Sequence, residues 1–103
     1  MLDAIKNLFG MDKTDYAALV KEGAVILDVR SKSEYAGGHI KNSINIPVNE
    51  LQNNLSRLKN KDKTIITCCA SGMRSASAKN VLENNGYKNV HNGGGWSSLN
   101  NKL

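Results

Sequence analysis

The sequence predicts an α/β fold, a small parallel sheet with helices packed against it. Two apolar runs of strand length carry that expectation. One spans Ala24 to Val29, broken only by Asp28, and the other is the β-branched stretch Thr64 to Thr67. Runs without polar alternation belong to parallel strands covered on both faces. Segments with helical spacing lie between and around them. Strands that alternate with helices give one sheet with right-handed crossovers. At 103 residues the chain is expected to form one domain.

Met1 to Phe9 sets Leu2, Ile5, Leu8 and Phe9 against Asp3, Lys6 and Asn7. That pattern is amphipathic and lacks the continuous apolar core of a signal peptide. Residues 1–10 are therefore expected to be an N-terminal amphipathic helical extension packing on a domain of residues 11–103. A membrane-surface or partner-docking helix is the sharper alternative. Thr14 or Asp15 caps a helix carrying Ala17, Leu19 and Val20, which ends near Lys21 with Gly23 beyond it. After the first strand, Ser33 starts a short helix over Glu34 to Ala36, stopped by Gly37 and Gly38. Ser43 to Ile46 reads as a short strand ended by Pro47. Asn49 caps a helix bearing Leu51, Leu55 and Leu58 at i, i+4, i+7. The strand at 64–68 follows, then a loop, then a helix from Ser75, as N-cap, to about Asn84, ended by Gly86. Asn89 to His91 is a short strand, Gly93 to Gly95 a flexible turn, and Trp96 to Leu103 a last helix.

Composition narrows the function. The hydrophobic fraction is 40% and the charged fraction 22%, both ordinary for a globular domain. No apolar run approaches the roughly 20 residues of a membrane span. Net charge is +5, from 14 basic and 9 acidic residues. The densest basic cluster, Arg57, Lys59, Lys61 and Lys63, is interrupted by Asp62 and has no interleaved aromatics. A solvated turn is expected there rather than a nucleic-acid surface. A basic surface still steers small anions towards a cleft. The only two cysteines, Cys68 and Cys69, are adjacent. They cannot staple distant segments, and a vicinal disulfide would be strained. They also lack the paired spacing of a structural zinc site. No metal and no cofactor is expected. Free thiols and the absence of a signal peptide point to a reducing cytoplasm.

The chemistry concentrates where the 64–68 strand turns into the next helix. A strand that turns sharply into a helix aims the N–H groups of its loop towards a common centre, and the helix adds its free N–H groups and positive dipole end. Such a loop is a preformed anion cradle. A thiol at its rim, Cys69, would be depressed below the free value of about 8.5 and ionised at neutral pH. The alternative for Cys69 is a small buried hydrophobe. Gly72 is expected to take a backbone conformation closed to other residues. The N–H groups from Ala70 through Ser71, Gly72, Met73, Arg74 and Ser75 are the candidate anion binders. Ser71 and Ser75 are candidates to hydrogen-bond the sulfur or substrate oxygens, with a plain cap the alternative for Ser75. Asp28 and Arg30 end a strand, and a structural ion pair or loop anchor is the expected role, with direct substrate contact the alternative.

Several stretches together resemble one family. Cys69-Ala70-Ser71-Gly72-Met73-Arg74-Ser75 resembles the Cys-x-x-Gly-x-Arg-Ser active-site loop of rhodanese-like sulfurtransferases. Asp28-Val29-Arg30 with Glu34-Tyr35 and Gly38-His39-Ile40 resembles the family's Asp-x-Arg…Glu-[Tyr/Phe]…Gly-His-Ile segment. Ile44-Asn45-Ile46-Pro47 and Gly93-Gly94 with Trp96 resemble two further family stretches. Four matches in order are far more specific than a lone Cys-x4-Arg. The resemblance to a single-domain rhodanese-like sulfurtransferase implies a small doubly wound sheet of about five strands with helices on both faces. It implies sulfane-sulfur transfer through a Cys69 persulfide. The donor would be a small anion such as thiosulfate, or a protein persulfide. The acceptor would be thiophilic, of the cyanide, thioredoxin or glutathione type. Arg74 would hold the loop shape or pair with the substrate anion, with an exposed salt bridge as its alternative, and His39 would be structural rather than a base. Ala70, Ser71 and Met73 bring no cation into the loop, which favours a low-charge donor over thiosulfate.

Two other classes compete. Counted from Cys68, the loop reads Cys-x5-Arg, the length used by cysteine-dependent phosphatases and arsenate reductases. No histidine precedes Cys68, however, and Gly72 is registered to Cys69. The other is a non-catalytic binding module of the same fold. Cys68 itself is expected to pack at the strand end, with resolution of an oxidised Cys69 as its alternative role.

Overall fold

The computed structural model describes residues 14–103, so the expected helix at residues 1–10 lies outside the described residues. Helix α1, Tyr16–Lys21, is capped by Asp15, whose side chain accepts from the Ala18 N–H. Strand β1, Val25–Asp28, leads to helix α2, Lys32–Ala36. Its cap is Ser31 rather than Ser33. The Ser31 hydroxyl accepts from the Glu34 N–H while the Glu34 carboxylate accepts from the Ser31 N–H, a reciprocal capping box. Strand β2 is only Ile44–Asn45. Strand β3 is Ile65–Cys69, helix α3 is Met73–Asn84, strand β4 is Val90–Gly95 and helix α4 is Trp96–Asn101.

All pairings are parallel, in the order β2-β1-β3-β4. Four described strands replace the expected five or so. The chain winds outward in opposite directions from β1 and β3, which pair side by side with Asp28 opposite Cys68. In open α/β sheets the crevice beyond the carboxyl ends of such strands is where ligands bind.

Alternation along β3 splits the core into two layers. Ile65 and Cys69 face a cluster with Leu27, Val29, Leu51, Ala78 and Leu82, covered by α3. Ile66 and Cys68 face the other side, with Tyr16, Ile26, Ile40 and Leu99, covered by α1 and α4.

Three further expectations are corrected. The helix expected over Leu51 to Leu58 is instead two 3-10 segments, Val48–Asn53 and Leu55–Arg57. Asn54 separates them, and its side-chain amide donates to the Glu50 carbonyl at 2.8 Å, a local bond that competes with a continuing helix. The glycine run is not a flexible turn but the end of β4, with a bulge opposite Thr67 to Cys69. Glycine is required there by close approach. A Cβ on Gly93 would lie 2.8 Å from Ile66 Cγ2, and one on Gly95 would lie 2.9 Å from the Ala70 carbonyl oxygen. The third correction concerns Ser75 and belongs to the site.

Candidate active site

Cys69 is the last residue of β3 and is 1% exposed. The chain then turns into α3 earlier than the sequence suggested. Gly72 occupies the N-cap position with φ of +103°, a left-handed conformation that other residues reach only with strain. The helix therefore begins at Met73, and Ser75 sits inside its first turn, fully buried, rather than capping it. That early turn brings the Gly72 N–H to 2.9 Å and the Ser75 N–H to 3.4 Å from Cys69 Sγ. The thiol donates to the Ser75 hydroxyl at 3.4 Å. Burial pushes the Cys69 thiol up, but the Ser75 side chain and the backbone N–H groups of Ser75, Gly72 and Ser71 outweigh it, and the net shift is downward. Cys68 is also a free thiol and fully buried. Burial, and then the nearby Asp28 charge, push it up to about 12 despite Arg30.

The other loop residues divide. Ala70 is exposed, and its carbonyl lies against Gly95. The Met73 side chain points away and is 80% exposed. Arg74 does not face the sulfur. Its guanidinium grips Glu34 in a two-pronged pair at 2.7 and 3.0 Å. Arg74, and then Ser31, hold the Glu34 carboxyl down at about 2. Asp28 and Arg30 form a buried pair at 2.7 Å beneath the site. Arg30 also donates to the carbonyls of Gly38 at 2.7 Å and Glu34 at 3.3 Å, and stacks 4.6 Å from the Trp96 ring. A chain of contacts thus runs from the end of β1, through α2, to the active-site loop. His39 stacks on Tyr35 with ring centroids 3.8 Å apart, and its Nδ1 meets the Tyr35 carbonyl at 2.8 Å.

Two residues escaped the sequence reading as site components. Glu34 had a legible signal, since Ser31-x-x-Glu34 is a capping-box pattern that fixes its carboxylate in place. Asn92, in β4, had none. Its amide oxygen accepts from the Ser75 hydroxyl at 2.6 Å and from the Gly94 N–H at 3.0 Å, and its nitrogen donates to the Gly72 carbonyl at 3.3 Å.

A cleft of about 470 Å³ opens beside the loop, lined by Ser31, Lys32, Val48, Glu50 and Arg74. A smaller one, about 210 Å³, with Arg57, Lys59 and Lys63, lies by Val25 and Ile65, at the amino ends of β1 and β3. The basic cluster is therefore at the opposite end of the sheet from Cys69. No helix among the described residues is long and apolar enough to cross a membrane.

Comparison with known proteins gives consistent matches. A family model for the rhodanese-like domain matches residues 12–102. The thiosulfate sulfurtransferase PspE of Escherichia coli is 34% identical over 74 residues, which is 71% of this chain and 71% of that protein. The tRNA sulfurtransferase of Thermoplasma acidophilum is 37% identical over 67 residues, 65% of this chain but only 13% of that protein. A solved rhodanese with anions from E. coli superposes with a TM-score of 0.69 at 32% identity, covering 73% of this chain and 89% of the other.

Proposed function

Because this chain belongs to the rhodanese-like domain family, we propose that it is a sulfurtransferase that carries sulfane sulfur on Cys69. The observation that carries the reading is the Cys69 sulfur itself, buried at a strand end yet met by the Gly72 and Ser75 N–H groups. The thiolate attacks the outer sulfur of the donor. A Cys69–sulfur bond forms, the donor's own sulfur–sulfur bond breaks, and its electron pair leaves with the donor remnant: sulfite from thiosulfate, or a thiolate from a persulfide. An acceptor thiolate or cyanide then attacks the outer sulfur, and the Cys69 thiolate is regenerated. The loop N–H groups stabilise the persulfide anion throughout.

A singly charged persulfide is the favoured donor over the thiosulfate dianion. The loop's one cation, Arg74, is paired with Glu34, so the loop itself presents N–H groups to the donor, with Lys32 the other positive side chain lining the cleft. The cleft beside Arg74 gives room for a thiol carrier larger than thiosulfate. Relatives and solved neighbours carry names that include thiosulfate, tRNA sulfur transfer and bound anions. Those names belong to those proteins, and thiosulfate remains the alternative donor here. The Cys68-centred phosphatase reading is disfavoured, because that thiol faces the other core layer and is held protonated. The free thiols fit a reducing compartment such as the cytoplasm. Steady-state assays with a small persulfide and with thiosulfate, each with cyanide or a thiol as acceptor, test the reading. The persulfide is expected to have the higher kcat/KM. Absence of turnover with both donors would instead support a non-catalytic binding module.

A further inference from the structure

The Ser75 hydroxyl has one proton and three acceptors around it. Asn92 Oδ1 is at 2.6 Å, the Gly72 carbonyl at 3.0 Å and Cys69 Sγ at 3.4 Å. The shortest contact is to Asn92. Its amide orientation is fixed independently, because Gly94 N–H donates to the same oxygen at 3.0 Å and Nδ2 donates to the Gly72 carbonyl at 3.3 Å. A reversed amide would oppose its NH2 to the Gly94 N–H. With its proton given to Asn92, Ser75 can only accept from the thiol of Cys69. To stabilise the thiolate, Ser75 must turn its proton to the sulfur and break the bond to Asn92.

We propose that Asn92 is a positioning residue for Cys69 that acts through Ser75, competing with the sulfur for the Ser75 proton and so setting how much of Cys69 is thiolate. The inference rests on the sulfur-transfer reading for its purpose, but not for its geometry. A thiol pushed too far towards thiolate is a weaker nucleophile, and the best attacking thiol ionises near ambient pH. Asn92 therefore holds back a cradle that would otherwise over-stabilise the anion. The charged and titratable groups nearby are Arg74 of α3, already paired with Glu34 of α2, the neighbouring Cys68, and the Asp28–Arg30 pair at the end of β1. On β4, His91 lies beside Ile66, three residues back from Cys69. None of these touches the Ser75 hydroxyl.

The test is the pH profile of Cys69 alkylation by iodoacetamide in the full chain, read by peptide mass spectrometry. Asn92→Ala removes the shortest of the three acceptors, so the Ser75 proton divides between the Gly72 carbonyl and the sulfur and the midpoint should fall. Below the wild-type midpoint, alkylation should quicken about threefold, as a half-unit shift requires. Asn92→Asp, nearly isosteric, places a carboxylate on the same hydroxyl, so the midpoint should rise. The Asn92→Ala shift should vanish when Ser75 is also replaced by Ala, since its coupling runs through the hydroxyl, while the Asn92→Asp shift should shrink to what the new carboxylate exerts through space. Shifts of the same sign in both variants, no shift in either, or an Asn92→Ala shift that persists without the Ser75 hydroxyl would each overturn the proposal. A sulfur-transfer assay on the same samples separates the two readings. Opposite midpoint shifts without any turnover in wild type would leave this inference standing and remove the proposed activity. Turnover without opposite shifts would do the reverse.

Discussion

Cys68 and Cys69 carry the same side chain one residue apart, and their surroundings push them in opposite directions. The strand's alternation sends Cys68 into an apolar layer beside the Asp28 charge, and Cys69 to the end of the strand, where N–H groups meet it. Backbone geometry, not thiol chemistry, makes the difference. Arg74, too, is defined by what surrounds it. The sequence shows an arginine at the loop's end but not what it faces, because its partner is contributed by a different element, 40 residues away. Replacing Glu34 by Gln removes the counter-charge while keeping the shape. The freed guanidinium should lower the KM for thiosulfate severalfold and leave that for a small persulfide nearly unchanged. Steady-state kinetics with both donors check this. Equal effects on both would mean that Arg74 shapes the loop without bearing on donor charge.

At the scale of elements, most of the fold was legible. The buried runs and the helical spacing around α1 and α3 follow directly from the order of the residues. What was not legible has local physical causes. The 3-10 segments at 48–57 arise because Asn54 offers its amide to the Glu50 carbonyl, a choice that leucine spacing cannot reveal. The start of α3 moved from Ser75 to Met73 because a left-handed Gly72 turns the chain sooner. Ser75 has the right chemistry for a cap, and only the structure shows that its hydroxyl faces inward to Asn92 and the sulfur. Gly72→Val tests this turn. Its Cβ would meet nothing closer than 3.5 Å, so the penalty comes from φ rather than from crowding. We expect a loss of about 1–3 kcal/mol in stability, measured by denaturant unfolding, and a far larger proportional loss of sulfur-transfer rate. Wild-type activity in this variant would mean that the loop does not depend on the left-handed turn.

At the scale of the molecule, burial of an uncharged thiol ties stability to pH. Cys68 is raised from 9.0 to about 12. Between those values the unfolded chain releases the proton that the folded chain keeps, so stability should fall as pH rises from about 9 towards 12. Cys68→Ala should flatten that part of the profile, as thermal melts across this range would reveal. An equally steep loss in the variant would place the alkaline sensitivity elsewhere. The paired charges of Asp28 and Arg30, buried beneath the site, link β1 to α2 and through Glu34 to the loop. That connection was only partly readable, since Asp28 and Arg30 end a strand but their reach to Gly38 and Trp96 depends on how the chain returns.

The central claim is that Cys69 carries transferable sulfur. Intact-protein and peptide mass spectrometry after exposure to a small persulfide or to thiosulfate tests it most directly. The account predicts a single sulfur adduct on wild type, its nearly complete loss in Cys69→Ser and its retention in Cys68→Ser, with phosphoester hydrolysis at background in all three. An adduct that survives in Cys69→Ser but disappears in Cys68→Ser, or hydrolysis that depends on Cys68, would contradict it.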